Sequence, residues 1–194
     1  MINTSRRLLT LFALAAIAVA VIAALPLIRR AINHFTLPLE YAAIIRQQAD
    51  EKHLDPALVA AVIYAETRFR PRVSATGALG LMQIEPATAR FLAHRSGGTR
   101  FAVRDLATPQ VNIAYGSYYL RYLLNEYDNN KVLALAAYNG GETNVDAWVS
   151  TARRSGRRFT INDIPLGQTR AYVQEVLSKQ RDYRSTYPQQ LGYG

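Results

Sequence analysis

Residues 66–83 of the chain read ETRFRPRVSATGALGLMQ, and a helix is predicted immediately before them, over residues 56–66. Asp55 and Pro56 favour a helix start, because an aspartate can cap the free amides of the first turn and proline lacks the amide that would stay unsatisfied there. At about 100° per residue, three side chains fall within about 60° of one another on this helix: Val59, Ile63 and Glu66. A carboxyl group therefore lies on the apolar stripe of its own helix, near the helix end.

The position of Glu66 suits a general acid. Partial burial raises the pKa of a carboxyl group, and the negative end of the helix dipole acts in the same direction. A carboxyl group that stays protonated near neutral pH can donate its proton to a leaving group. The alternative is an ion pair with Arg68 or Arg70, since structural ion pairs also place charges on apolar faces. Spacing alone leaves both interpretations open.

Further motifs follow residues 66–83 in a fixed order: Asn112-Ile113 with Gly116, Tyr119 and Leu120, then Ala136-Ala137-Tyr138-Asn139-Gly140-Gly141, then Thr169-Arg170-Ala171-Tyr172-Val173. Together with Glu66-Thr67-Arg68-Phe69-Arg70-Pro71, Ser74 and Gly77-Ala78-Leu79-Gly80-Leu81-Met82-Gln83, these motifs resemble the soluble lytic transglycosylases. The resemblance covers about 39–187 and implies a lysozyme-like fold.

The resemblance implies that Glu66 is the single catalytic acid and base. It would protonate the glycosidic oxygen between N-acetylmuramic acid and N-acetylglucosamine, and then take the proton of the C6 hydroxyl as that oxygen closes on C1. The product is a 1,6-anhydro end, and no water is consumed. One carboxylate suffices because the nucleophile belongs to the substrate, whereas ordinary glycosidases use two.

The resemblance also implies a set of substrate-binding residues: Ser74, Gly80, Met82, Gln83, Tyr138, Asn139 and Tyr172. For Ser74 and Gln83 the alternative is hydrogen bonding to the backbone of a turn. For the two tyrosines it is an ordinary place in the core with a satisfied hydroxyl.

Three positions depart from the family pattern. Thr67 replaces the usual serine and keeps the hydroxyl, and Gln168 replaces a frequent glutamate. Glu85 stands where many members have a methionine that packs beneath the substrate, so it is expected to affect which sugar or peptide is accepted. We expect Glu85 to begin the next helix, with Pro86 in its first turn.

The fold class is predicted as mainly α: a single lysozyme-like domain of the goose type over residues 38–187, followed by a C-terminal tail at 188–194. Helices are predicted near residues 39–50, 56–66, 85–94, 108–127, 131–138, 142–153 and 169–181. Glycine pairs and prolines separate them, and no alternating β-branched run indicates a substantial sheet.

The N-terminal region has a different character. Residues 8–28 carry no charge and would form a helix about 30 Å long, which matches a bilayer core. We expect a short tail at 1–7, a single-pass membrane anchor at 8–28 and a connector at 29–37. A cleavable signal peptide is the alternative, with Ala18-Val19-Ala20 as the cleavage site. Arginines flank both ends, so the extracytoplasmic location of the domain, periplasmic or at the cell wall, follows from its inferred substrate.

Composition narrows the function classes. The 194 residues include no cysteine, which excludes disulfides and a cysteine nucleophile. The net charge of +9 suits an anionic polymer or membrane surface. No nucleic-acid-binding module is recognisable, and His34, His53 and His94 lack metal-ligand spacing, so we expect neither nucleic acid, metal nor cofactor. The expected partners are peptidoglycan glycan strands and the membrane, with a cell-wall or secretion-machinery protein also kept open.

Three functions are weighed. The first is a lytic transglycosylase acting on peptidoglycan. The second is a muramidase of the same fold that adds water, which needs a second carboxylate from among Glu85, Asp105, Asp146 and Asp163. The third is a glycan-binding module without activity, which would not require a buried acid.

Overall fold

The computed structural model describes the backbone of residues 2–97 and 100–193; within the first helix, the side chains of residues 2–10, 13, 27, 29–31 and 33–35 lie outside the description. The chain divides into two compact units, residues 1–38 and residues 39–194.

The first unit is one helix, α1 (Ile2–Thr36). The helix includes residues 2–7 of the predicted tail, of which Met1 lies outside the described residues, and most of the predicted connector at 29–37. Neither segment contains a glycine or proline, although Pro26 lies inside the helix. The predicted anchor at 8–28 includes side chains outside the description, those of residues 8–10, 13 and 27. Over the described part of the chain, none of the helices combines the length and apolar character needed to cross a membrane.

The second unit is mainly α, as predicted. Its described helices are α2 (Ala42–Glu51), α3 (Pro56–Thr67), α4 (Pro86–Arg95), α5 (Pro109–Glu126), α6 (Lys131–Gly140), α7 (Glu142–Arg154), α8 (Gly167–Thr186) and α9 (Pro188–Leu191). Short 3₁₀ helices lie at Val103–Ala107 and Ile161–Asp163. The seven predicted helices are confirmed, with boundaries that differ by a few residues at most ends.

Helix α3 forms the centre of the domain. Its first amide is capped as the sequence predicts, since the Asp55 side chain accepts a hydrogen bond of 3.0 Å from the amide of Ala57. Every residue from Ala57 to Tyr64 is buried, and α3 packs chiefly against α8. The predicted apolar stripe is therefore wrong in one respect: the helix is apolar on all sides, as buried helices are.

A two-stranded antiparallel hairpin follows α3. Strand β1 (Arg72–Val73) pairs with β2 (Leu79–Gly80), with Arg72 opposite Gly80. The chain then turns back so that Leu79 and Ile84 exchange backbone hydrogen bonds of 3.0 Å. The hairpin places the residues after Glu66 beside the end of α3.

The segment predicted as a C-terminal tail, 188–194, contains a short helix in its described part. Helix α9 packs against α2, and Leu191 is buried. Beyond it, the Tyr193 hydroxyl donates a hydrogen bond to the Asp55 carboxylate, which also receives Arg184 and Gln180. The segment is fixed by long-range contacts that composition could not indicate.

Candidate active site

A groove of about 550 Å³ runs across the domain where α3 ends. The hairpin, the start of α4, the middle of α5, the end of α6 and the start of α8 all contribute to its walls. Five of the predicted site residues line it: Glu66, Ser74, Gln83, Tyr138 and Asn139. Segments that are far apart in sequence thus meet around one carboxyl group.

Glu66 is the penultimate residue of α3 and is mostly buried. Burial raises the pKa of its carboxyl group to about 7, although Tyr172 and the positive charge of Arg72 act in the opposite direction. Arg72 contacts the residue through its backbone, donating a 2.8 Å hydrogen bond to the Glu66 carbonyl. The alternative ion pair is not formed within the described chain, since Arg68 instead lies 3.9 Å from Glu175.

Two tyrosines flank the carboxyl group. The Tyr138 hydroxyl donates a 2.9 Å hydrogen bond to the carbonyl of Met82. The Tyr172 hydroxyl is buried and has no partner with full hydrogen-bond geometry in the described structure, yet it lies close enough to Glu66 for each to shift the pKa of the other. Burial and the nearby Glu66 raise the pKa of both tyrosines well above the usual value, so both remain hydroxyl donors.

Ser74 and Gln83 both stabilise the hairpin and border the groove. The Ser74 hydroxyl accepts a 3.0 Å hydrogen bond from the amide of Ala78. The Gln83 side-chain amide donates to the carbonyls of Arg72 and Gly80, at 2.9 and 2.8 Å. Both side chains therefore make the turn contacts of the alternative interpretation. Gln83 also borders the groove, and its amide oxygen makes no hydrogen bond within the described residues, so this oxygen is available to a ligand.

Gly80 and Met82 do not line the groove; both are buried behind it. A Cβ atom at Gly80 would lie 2.2 Å from the Asn112 side chain, so the glycine permits close packing of the protein rather than the approach of a sugar ring. The Met82 side chain occupies the space over Gly116, and its backbone carbonyl receives Tyr138. Direct substrate contact by these two residues stays a prediction, and Tyr172 likewise lies behind the wall, next to Glu66.

Asn112 organises the site, although the motif alone assigned it no particular role. Its side chain accepts a 2.8 Å hydrogen bond from the amide of Met82 and donates to the carbonyls of Leu79 and Leu106, at 2.8 and 3.0 Å. The sequence signal for this role is an asparagine within a predicted helix, because a polar side chain that becomes buried needs hydrogen-bond partners. Thr67 acts similarly, because its hydroxyl donates a 2.8 Å hydrogen bond to the carbonyl of Leu81.

Aromatic rings form a connected series near Glu66, and two of them, Tyr119 and Tyr138, line the groove. Tyr119 lines the groove, and its ring centroid lies 5.2 Å from that of Tyr138 and 6.2 Å from that of Tyr122. Phe91 continues the series, 5.4 Å from Tyr122. Flat amphipathic rings of this kind can pack against sugar rings. Tyr119 was visible in the sequence only as part of a motif.

One of the four candidate second carboxylates borders the groove. Glu85 lies directly before α4, as predicted, and lines the groove. Asp105 accepts a hydrogen bond from the amide of Ala102, whereas Asp146 accepts one from the Tyr127 hydroxyl. Asp163 pairs with an arginine at 2.8 Å in a different part of the domain. Among the described residues, no group of three or more His, Cys, Asp or Glu side chains is arranged to hold a metal ion.

With this geometry in place, the chain can be compared with known proteins. The sequence profile of the transglycosylase SLT domain matches residues 43–160, which is more than half of the chain. The chain belongs to the transglycosylase SLT domain family, in agreement with the resemblance found in its motifs.

Individual proteins with similar sequences carry names that agree with this family. The soluble lytic murein transglycosylase of Escherichia coli K12 is 32% identical over 150 residues, which cover 76% of this chain and 23% of that protein. The membrane-bound lytic murein transglycosylase C of Yersinia enterocolitica is 29% identical over 167 residues, covering 75% and 47%. The chain therefore spans about a quarter to a half of the length of these relatives.

Solved structures match the fold. The 70 kDa soluble lytic transglycosylase of Escherichia coli superposes with a TM-score of 0.73 at 29% identity, covering 78% of this chain and 25% of that one. An inactive mutant of the lytic transglycosylase Slt of Pseudomonas aeruginosa gives 0.72 at 31% identity, covering 79% and 25%. The lysozyme-like, mainly α fold expected from the sequence is thereby confirmed.

Proposed function

We propose that the protein is a lytic transglycosylase that cleaves the β-1,4 bond between N-acetylmuramic acid and N-acetylglucosamine in peptidoglycan. The observation that carries this proposal is Glu66, a largely buried carboxyl group with a pKa of about 7 at the wall of a groove large enough for sugar rings. Family membership supports the same reaction, since the matched relatives are named lytic murein transglycosylases.

The reaction requires one proton carrier. Protonated Glu66 gives its proton to the glycosidic oxygen as the bond from that oxygen to C1 breaks. The C6 hydroxyl of the same muramic acid residue then bonds to C1, and its proton passes to the Glu66 carboxylate. The carboxyl group is restored, the product carries a 1,6-anhydro end, and water does not enter the balance. A pKa near 7 suits both steps, because the group must give and take a proton at neutral pH.

The neighbouring residues have distinct roles in this proposal. Tyr172 steadies the carboxylate formed in the first step by offering its hydroxyl proton. Tyr138 holds the Met82 carbonyl, and so fixes the loop that borders the groove. Gln83, through its amide oxygen, and Asn139, which lines the groove, contact the N-acetyl groups and hydroxyls of the strand. Ser74 shapes the opposite wall.

A muramidase is the second candidate, and Glu85 favours it. This carboxylate borders the same groove as Glu66, so it could position a water molecule in an inverting or retaining hydrolysis. The exposed position of Glu85 at the start of α4 argues for the lytic reaction, because nothing in its described surroundings holds the carboxylate in one place.

The test is the release of soluble fragments from purified peptidoglycan by the full chain and by its Glu66→Gln variant. The variant keeps the side-chain shape but cannot donate or accept the proton, so release should fall by at least about 10³-fold. Circular dichroism of the variant should match the wild type. Asp50→Asn, which removes an exposed carboxylate of α2, serves as the control and should leave release unchanged. Equal release by Glu66→Gln and wild type would refute the role of Glu66, and binding without release by the wild type would favour a glycan-binding module.

We further propose that residues 8–28 anchor the domain in the cell membrane, with the catalytic domain on the extracytoplasmic side. The uncharged run of residues 8–28 supports this. The full chain should fractionate with membranes, whereas a chain beginning at Ala31 should be recovered in the soluble fraction. If the full chain is instead recovered in the soluble fraction in a shortened form, the N-terminal segment is a cleaved signal peptide.

A further inference from the structure

The charge of the groove is opposite to the charge of the protein. The whole chain carries a formal charge of +9. Among the described residues that line the groove, however, the ionisable acids and bases are two glutamates, Glu66 and Glu85, with no lysine, arginine or histidine. Burial raises the pKa of Glu66 to about 7, so this group is only partly charged at neutral pH, and Glu85 is the second acidic group of the groove.

Glu85 is free to meet a ligand. It occupies the N-cap position of α4, but its side chain caps no amide of that helix. It is exposed, and no ion pair or side-chain hydrogen bond engages it within the described part of the chain. A carboxylate that stabilises neither its helix nor a salt bridge is available to an incoming cation.

The surroundings of Glu85 strengthen the negative potential. Burial raises the pKa of the hydroxyl of Tyr119, which also lines the groove, and the negative charges of Glu142 and Glu85 raise it further. Arg95 lies over the Tyr122 ring at 5.1 Å, and Arg72 acts on Glu66 through its charge, but neither arginine lines the groove. The acidic end of the groove is therefore not neutralised from within.

We propose that Glu85 is a specificity residue that selects peptidoglycan strands carrying a primary ammonium group. This inference rests on the proposed function and names a preference of the same groove. An ammonium group can come from a glucosamine that has lost its N-acetyl group, or from a free amino group of the stem peptide. Both present the same chemistry, which is a compact cation with three donors that pairs with a carboxylate.

Cleavage rates on matched substrates test the preference. The first pair is peptide-free glycan, fully N-acetylated or partly de-N-acetylated. The second pair is peptide-bearing peptidoglycan, untreated or acetylated at its free amines. The full-length wild type should show a higher kcat/KM on the amine-bearing member of at least one pair, by about three- to tenfold, which is the size expected of a solvent-accessible charge pair. Whichever pair shows the preference identifies the source of the amine.

Variants of Glu85 assign the preference to this residue. Glu85→Gln removes the charge at nearly constant shape and should bring the ratio of kcat/KM between the two members of the pair to about one. Glu85→Asp should retain part of the preference, and added salt should reduce it in the wild type. Asp50→Asn is the control and should leave the ratio as it is.

Binding separates a failure of this inference from a failure of the proposed function. Glu66→Gln and the double variant Glu66→Gln/Glu85→Gln can be compared for binding to the same substrate pairs, with no need for cleavage. Tighter binding of amine-bearing strands that disappears in the double variant supports the inference. Anhydro products from the wild type with the same kcat/KM on both members of each pair would overturn it while leaving the proposed function intact. Equal loss of cleavage on all substrates in Glu85→Gln would also overturn it, and would make Glu85 part of the chemistry.

Discussion

A carboxyl group that donates a proton near neutral pH must be kept from ionising before the substrate arrives, and Glu66 meets this requirement through burial at the end of α3. This burial lowers the stability of the folded protein at neutral and alkaline pH. The pKa is about 7 in the folded protein against an ordinary 4.5, so the folded state holds the extra proton between these values. The free energy of unfolding therefore decreases as pH rises from about 4.5 to about 7.

Glu66→Gln should remove this pH dependence. The neutral amide needs no proton, so the variant should gain stability over the wild type as pH rises, by on the order of 2–3 kcal/mol above pH 7 and by little below pH 4.5. Urea unfolding at pH 4.5, 6 and 8 measures the difference. Asp50→Asn should show no such trend. A constant difference between Glu66→Gln and wild type across this range would contradict the raised pKa.

The enzymatic counterpart is a fall in activity at alkaline pH. Only protonated Glu66 can act as the acid, so kcat/KM should decrease as pH rises through about 7. The profile is measured on one soluble glycan substrate at constant ionic strength. A rate that continues to rise to pH 9 would show that the proton comes from another group.

Sequence reasoning reached Glu66 because its placement is local. The Asp55-Pro56 start and the helical period together fix the height and face of the carboxyl group. Asn112 escaped the same reasoning, because its three hydrogen-bond partners lie in segments up to 33 residues away in sequence. The protein contacts of Gly80 and Met82 escaped it for the same reason: a motif indicates that a residue matters, but not which neighbours it packs against.

Asn112→Ala should destabilise the domain strongly. It leaves the amide of Met82 and two backbone carbonyls without their buried partner, at an expected cost of about 2–5 kcal/mol in the free energy of unfolding. Asn125→Ala, on the exposed face of the same helix, should change stability by less than about 0.5 kcal/mol. Chemical denaturation of both variants makes the comparison. Similar values for the two would contradict the organising role of Asn112.

At the scale of elements, the hairpin after α3 combines backbone geometry with packing. Gly77 and Gly80 both have positive φ angles, +85° and +77°, which a side chain disfavours. Their surroundings differ, because a Cβ atom at Gly77 would meet open space whereas one at Gly80 would overlap Asn112. The sequence indicated a turn at both glycines but could not distinguish them, since the difference comes from α5.

The two glycines therefore form a matched pair. Gly77→Ala should cost about 1–2 kcal/mol, the strain of a left-handed residue. Gly80→Ala should cost more, about 3 kcal/mol or above, because it adds the clash to the same strain. Denaturant midpoints measure both variants. Equal destabilisation would show that the hairpin moves away from α5 without loss, contrary to the packing described.

At the scale of the whole domain, the C-terminal segment is joined to the start of the catalytic helix. The Asp55 carboxylate caps α3 and binds Tyr193, Arg184 and Gln180. Burial alone would raise the pKa of Asp55, but these hydrogen bonds outweigh it and hold the pKa below the usual value. The stability they contribute is present above about pH 3.8 and is lost as pH falls through the lower folded value.

Tyr193→Phe tests this connection. Loss of the hydroxyl should lower the free energy of unfolding at pH 7 by about 1–3 kcal/mol, the range for a hydrogen bond to a charged group. The loss should shrink in strong acid, where Asp55 is protonated. Tyr118→Phe, which removes a hydroxyl with no hydrogen bond in the described structure, should have little effect. An unchanged free energy of unfolding in Tyr193→Phe would mean that the end of the chain does not stabilise α3.

The most direct measurement is the mass of the fragments that the full chain releases from purified peptidoglycan. The proposed reaction closes the C6 oxygen on C1 without water, so the muramic acid ends should be one water lighter than hydrolysed ends, and Glu66→Gln should release none. Fragments with the full hydrated mass would contradict the account. They would show that a water molecule, and not the C6 oxygen, attacks C1.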